Sequence, residues 1–214
     1  MGTNSTPRTS TGWREHYKSR LVGPEEIVAK VASGNRIFVV TAHESPALVA
    51  SLLGRADELT DVEVRTMGGL WSDYGFQQGT FSHAFRANTS FGTPVSRQAI
   101  EEGIINFTVV GYGDCFRHIE QRRAGSDPYD FCWFRVTPPN ESGYCCVGAE
   151  RWELREAMKC AKVNVAAVNR HLPRTYGDTW IHVSEIDHFI EDHEPVPQRY
   201  EYEPMPAAVL CDSA

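Results

Sequence analysis

The 214-residue sequence lacks the features that mark several common protein classes. No stretch approaches the ~20 consecutive apolar residues of a membrane span, and residues 1–20 hold no apolar run of the kind a secretory signal needs. Basic residues are outnumbered, 21 Lys and Arg against 28 Asp and Glu. A general nucleic-acid binder would show a basic excess or a basic stripe, and neither is present. The six cysteines (Cys115, Cys132, Cys145, Cys146, Cys160 and Cys211) are too scattered for a disulfide framework and include no Cys-x-x-Cys pair of zinc spacing. These absences predict a cytoplasmic protein with reduced thiols. The Asn-x-Ser/Thr triplets at Asn4, Asn88, Asn106 and Asn140 then carry no weight as glycosylation sites. Phosphate-cradling glycine motifs and a Gly-x-Ser-x-Gly nucleophile turn are also missing.

What is present is an ordinary globular composition, 41% hydrophobic, with helical and extended patterns in alternation. After a polar, Ser/Thr-rich tail over residues 1–12, Pro24-Glu25-Glu26 opens a helix that Gly34 closes. The apolar run Ile37–Val40 has the character of a strand buried on both faces. A helix from Pro46 carries Leu48, Val49, Leu52 and Leu53, and Val62 and Val64 begin a second strand. Later segments read as a helix at Arg97–Glu102, strands at 107–110 and 131–136, a helix at 152–161, a strand at 163–168 and an extended segment at 181–190. Alternation of this kind predicts an α/β fold with an open, mostly parallel sheet and flanking helices. From Glu191 onward the Pro-rich run resembles a linker or arm, leaving residues 13–190 as the domain.

Candidate functional groups follow from that topology, because ligands of α/β sheets sit beyond the carboxyl ends of the strands. The loop Thr41-Ala42-His43-Glu44-Ser45 occupies such a position, although it could equally be a polar loop that caps the next helix. The stiff loop Thr137–Gly143, with Pro138 and Pro139, follows another strand; Ser96-Arg97 begins a helix where a guanidinium and backbone amides could meet an anion. The bland readings are a turn and a helix cap. His182, Asp187, His188 and His193 have no helical ligand spacing, so no metal site is expected. Asp114-Cys115 with His118 is a weak candidate for a nucleophile pair, and Cys145-Cys146 reads as buried packing.

Several segments in order carry a more specific likeness. They are Trp13–Tyr17, Pro24–Val28 with Ser33–Arg36, Ser96–Gly103, Val136-Thr-Pro-Pro-Asn-Glu-Ser-Gly-Tyr-Cys-Cys-Val-Gly148 and Pro173-Arg-Thr-Tyr-Gly-Asp-Thr-Trp-Ile-His-Val-Ser-Glu-Ile-Asp187. Over roughly Trp13 to Pro197 the chain resembles the amino-terminal half of the acetyl-CoA hydrolase/transferase family, especially 4-hydroxybutyrate CoA-transferases. The resemblance implies a class I CoA-transferase-like amino-terminal domain whose active site lies in a cleft against a second, related domain. It implies coenzyme A, as acyl-CoA, for substrate, and no metal. It also implies covalent chemistry in which a glutamate of the carboxy-terminal half attacks the acyl-CoA and becomes a glutamyl-CoA thioester. No catalytic residue is therefore expected in this chain.

The implied partner is a complementary subunit carrying the glutamate and the CoA site, in a heterodimer or heterotetramer, with no nucleic acid or membrane involved. Thr41, His43, Ser96 and Arg97 are the expected substrate-binding contributors, with Pro138, Pro139 and Gly143 shaping the cleft. Thr41 stands where close family members often have a histidine, and Met67–Tyr74 replaces a longer aliphatic stretch, so acyl specificity is open. Related activities on the same fold are acyl-CoA hydrolysis, C–C bond cleavage and decarboxylation; a non-catalytic stabilising subunit is the remaining alternative.

Overall fold

In a computed structural model, the structure describes residues 12–68, 74–93, 96–111, 114, 116–117 and 128–195. Seven parallel strands form one sheet: β1 (Arg36–Val39), β2 (Val62–Thr66), β3 (Phe85–Thr89), β4 (Asn106–Phe107), β5 (Tyr129–Val136), β7 (Ala161–Val168) and β9 (His188–Glu191). Their order is β4-β3-β2-β1-β5-β7-β9. Two short antiparallel strands, β6 (Tyr144–Cys146) and β8 (Trp180–His182), make a separate ribbon. Among the described residues the helices are α1 (Gly12–Arg20), α2 (Pro24–Val28), α3 (Pro46–Leu53), α4 (Arg97–Glu101) and α5 (Leu154–Lys159). No helix among the described residues is long and apolar enough to cross a membrane.

The period of two along each central strand sorts side chains onto two cores. Phe38, Val40, Cys132, Phe134, Val136, Ala166, Val168 and Phe189 face α5 and the β6–β8 ribbon, packing with Leu154, Cys145 and Ile181. Their neighbours Ile37, Val39, Phe131, Trp133, Val165, Ala167 and Ile190 face α2 and α3, packing with Ile27, Leu48 and Leu52. Burial on both faces explains why these strands read as unbroken apolar runs rather than alternating ones.

Some expectations are corrected. The helix α1 is half-buried at best and amphipathic only weakly, so its pattern does not announce it. The strand β3 escapes the hydropathy pattern because its sequence, Phe-Arg-Ala-Asn-Thr, is polar; its partners on β2 hold it in place. The strand expected at 107–110 is only Asn106–Phe107, at the sheet edge. The extended segment at 181–190 is β8, a 3-10 turn at Val183–Glu185, and β9, and the two strands belong to different sheets. The helix expected from Trp152 starts at Leu154, because Trp152 takes a left-handed φ of 34°.

Candidate functional site

The carboxyl ends of β1, β5, β7 and β9 lie side by side, and the loops leaving them assemble a buried polar group of residues. Past β1, the Thr41 amide and hydroxyl both donate to the buried Glu153 carboxylate, at 3.0 and 2.9 Å. The Thr41 oxygen in turn accepts from the Gly68 amide at 3.2 Å, joining the β1 and β2 loops to the segment before α5. Gly68 permits this approach: a Cβ there would stand 2.7 Å from Thr41 Cγ2.

Ala42 takes a positive φ of 65°, which turns its carbonyl toward Arg135 Nη2 at 2.9 Å. His43 is 1% exposed, and both of its ring nitrogens are used. Nδ1 faces the Arg135 amide at 3.1 Å and must accept, since an amide can only donate. That leaves the proton on Nε2, which donates to the Glu150 carbonyl. Burial drives the His43 pKa down to about 4, and the nearby Arg135 charge acts in the same direction, against the pull of the Glu150 and Arg135 backbone carbonyls. The side chain is thus a neutral tie between β1, β5 and the turn before α5.

Ser45 caps α3, its oxygen accepting from the Leu48 amide at 3.3 Å, and its hydroxyl donates to the buried Asp192 beyond β9. The same carboxylate receives the Ala47 amide at 3.3 Å, placing negative charge at the amino end of α3, where the helix dipole favours it. Asn169 beyond β7 is fully buried and donates to the Glu194 carbonyl at 2.7 Å, fixing the start of the Pro-rich arm.

With α3, these loops line an open cavity of about 400 Å3 bordered by Glu44, Pro46, Ala47, Ala50, Tyr74, Arg135, Asp192, Glu194 and Pro195. Its size suits a small ligand or part of a larger one. Arg135, the penultimate residue of β5, is 2% exposed, and its Nε has no hydrogen-bond partner. Burial lowers its pKa, while Glu44, Asp192 and Tyr74 act in the opposite direction. A guanidinium is protonated throughout the physiological range, so the cavity holds a fixed positive charge between carboxylates. A second cavity of about 30 Å3, lined by residues including Thr66, Phe76, Thr93 and Ser96, has space only on the scale of bound water.

None of the seven residues named as substrate-binding contributors lines the larger cavity, although Glu44 of the candidate loop Thr41–Ser45 does. Thr41 and His43 are buried in the same loop as Glu44, Thr41 bonded to Glu153 and His43 to the Arg135 amide. Ser96 precedes α4 and is tied to Thr93, while Arg97 is exposed. Pro138 and Pro139 are half-buried after β5, and the Pro138 carbonyl accepts from Arg174 at 3.4 Å. Gly143 is buried with φ 81°, its absent Cβ leaving space for Trp13 and His182. Sequence reasoning misses Glu44, Arg135 and Asp192, although an arginine ending the run Tyr-Asp-Phe-Cys-Trp-Phe-Arg-Val is a visible signal.

The remaining candidates resolve differently. Cys115 and His118 lie outside the described residues. Cys145 and Cys146 are both fully buried, and Cys146 Sγ accepts the Gly148 and Thr175 amides at 3.4 and 3.3 Å. His182 bonds Ser184, His188 bonds Lys30 and His193 bonds Arg170; no group of three metal-ligating side chains occurs among the described residues.

Residues 4–198 match the family model described as acetyl-CoA hydrolase/transferase N-terminal domain. The chain belongs to that family. Among acetyl-CoA hydrolase/transferase relatives, it is 30% identical over 185 residues to the 4-hydroxybutyrate coenzyme A transferase of Clostridium kluyveri. It is 32% identical over 193 residues to the succinyl-CoA:cyclohexane-1-carboxylate CoA transferase of Geobacter metallireducens. Those alignments cover 86% and 90% of this chain but 42% and 43% of the relatives, so the chain spans less than half their length.

Solved structures carry the same fold. RipA from Yersinia pestis superimposes with a TM-score of 0.78 at 24% identity, over 91% of this chain and 47% of RipA. A variant of the decarboxylase AibA/AibB gives a TM-score of 0.59 at 13% identity, over 86% of this chain and 87% of the matched one.

Proposed function

We propose that this chain forms the amino-terminal wall of an acyl-CoA-processing site of the CoA-transferase type. The complementary half, on a second subunit, supplies the catalytic glutamate and the CoA-binding surface. The observation that carries this reading is the cavity at the ends of β1, β5 and β9, in a chain of acetyl-CoA hydrolase/transferase type. Strand ends are where α/β folds place ligands, and here they hold buried fixed charge supported by a tight hydrogen-bonded frame.

In this reading the folded domain expected over residues 13–190 extends through β9 and the cavity-lining Asp192, Glu194 and Pro195, and the chain works in a heterodimer or heterotetramer in the cytoplasm. Thr41 and His43 hold the loop that presents Glu44. Pro138, Pro139 and Gly143 shape the cleft toward the partner, and Ser96 and Arg97 contribute from the start of α4. Attack by the partner's glutamate on the thioester carbonyl would form an acyl-glutamyl anhydride and release CoA thiolate. Return of the thiolate would give the glutamyl-CoA thioester and set the acyl group free as a carboxylate. This chain's part is to bind and orient the acyl group.

A second reading, that the partner directs decarboxylation or another acyl-CoA reaction, is favoured by one observation. The matched AibA/AibB chain is covered along 87% of its length, and its name gives two components. Co-purification of this chain with the product of its neighbouring gene, followed by acyl-CoA turnover assays, tests the proposal. Turnover only with both chains present is expected. A chain that purifies alone and turns over acyl-CoA unaided would refute it.

A further inference from the structure

We infer that the two joined loops carrying Trp152 and Tyr176 anchor this chain to its complementary subunit, which presents there an apolar pocket rimmed by acidic side chains. The inference rests on the two-subunit reading above and names the surface through which the halves meet.

Tyr176 is 100% exposed and Trp152 is 45% exposed. Trp, Tyr and Arg are the residue types that most often anchor protein interfaces. Tyr176 stands on a braced loop. The Thr175 amide donates to Cys146 Sγ at 3.3 Å, and the Thr175 hydroxyl donates to the Gly148 carbonyl at 2.8 Å. Trp180 Nε1 donates to the Thr175 carbonyl at 3.1 Å. Arg151 donates to the Asp178 carbonyl and carboxylate at 3.0 and 2.8 Å, joining the segment before α5 to the loop after β7. Trp152 adjoins Arg151, and Tyr176 lies two residues before Asp178, so both rings belong to one fixed surface. Side chains on a rigid support lose little conformational freedom when a partner covers them.

The position of this surface selects its occupant. The Glu150 carbonyl accepts from His43 beyond β1, and the Pro138 carbonyl beyond β5 accepts from Arg174. The aromatic loops therefore lie on the strand-end side of the sheet, next to the loop whose Glu44 lines the cavity. That is the side the reading assigns to the complementary half, and this chain spans only 42% and 43% of two relatives' length. Charge decides against a second copy of this chain. Arg170 and Arg174 are exposed in the same loop, and among the described residues neither is in an ion pair, in a chain of net charge −7. A two-fold contact would bring these arginines against their own copies, whereas an acidic rim attracts them.

The test uses the full 214-residue chain and the product of its neighbouring gene, purified separately, with their Kd measured by calorimetry. Tyr176→Ala should weaken association about 30-fold and Trp152→Ala about tenfold, the range of aromatic anchors. Arg174→Glu should slow association, most at low salt. Phe107→Ala, a control at a ring 44% exposed on the edge strand β4, should leave the Kd unchanged. Because Tyr176 is fully exposed, its removal spares the fold, and equal melting temperatures verify this. A complex whose Kd is unmoved by Tyr176→Ala overturns the inference and leaves the two-subunit reading standing. A chain that dimerises alone in sedimentation, and is made monomeric by Tyr176→Ala, overturns it in favour of a second copy. No association between the two chains overturns the two-subunit reading, and the inference with it.

Discussion

The Nδ1 atom of His43 accepts the backbone amide of Arg135 at 3.1 Å, so the loop after β1 is locked onto the end of β5 by a buried imidazole. Arg135 answers through its guanidinium, which holds the Ala42 carbonyl at 2.9 Å. Two adjacent parallel strands are thus cross-tied at their carboxyl ends, and Arg135 reaches the cavity from a rigid support.

His43 gives the fold a defined acid sensitivity. Its folded pKa of about 4 lies below the ordinary value of 6.5, so the unfolded chain takes up the proton first. Stability from this group is complete above about pH 6.5 and declines as the pH falls toward 4, by up to about 3 kcal/mol. Chemical denaturation of wild type and His43→Gln across that range should show the variant with the shallower slope. Parallel slopes would mean that His43 is not held neutral.

Gly68 should tolerate no side chain while Thr41 keeps its methyl group. A Cβ at Gly68 would lie 2.7 Å from Thr41 Cγ2, so Gly68→Ala should cost about 1–3 kcal/mol through overpacking. Thr41→Ser retains the hydroxyl that bonds Glu153 but removes the methyl. The double variant should recover part of the loss, a coupling of about 0.5–3 kcal/mol measurable by a mutant cycle.

Glu153 acts as an acceptor for two donors of Thr41. Glu153→Gln keeps a carbonyl oxygen at that position, whereas Glu153→Ala strands a buried amide and a hydroxyl. Equilibrium unfolding should find the alanine variant the less stable of the two by about 1–3 kcal/mol. Equal losses would show that the contact with Thr41 contributes little.

Gly143 combines a left-handed backbone with a tight contact. Its φ is 81°, and an added Cβ would meet Trp13 Cγ at 2.7 Å and His182 Nε2 at 3.0 Å. Gly143→Ala should cost about 2 kcal/mol or more, from backbone strain and crowding together. Trimming Trp13 to Ala in the same chain should relieve only the contact with the indole ring, since Trp13 Cβ and His182 Nε2 still stand at 3.0 Å, and thermal melts of the single and double variants measure that share of the loss.

Much of the sheet is legible in the sequence because strands buried on both faces are largely apolar, as in Ile37–Val40 and Phe131–Phe134. The polar strand Phe85–Thr89 is not, since its place is set by pairing with β2 rather than by its own pattern. The loop after β1 does lie at a strand end as its sequence predicts, but His43 faces inward with both nitrogens satisfied. Its neighbour Glu44 faces the cavity instead. Arg135 and Asp192 come from strands distant in sequence, and only the strand order brings them to one cavity. Side-chain direction at a strand end depends on loop geometry such as the positive φ of Ala42, which composition does not encode.

The measurement that bears most directly on the account is intact-mass analysis of the two-subunit assembly after incubation with butyryl-CoA. The proposal predicts a covalent CoA adduct on the complementary subunit, with this chain at its unmodified mass. An adduct on this chain instead, for example at Glu44 in the strand-end cavity, would place the nucleophile here and contradict the division of labour proposed.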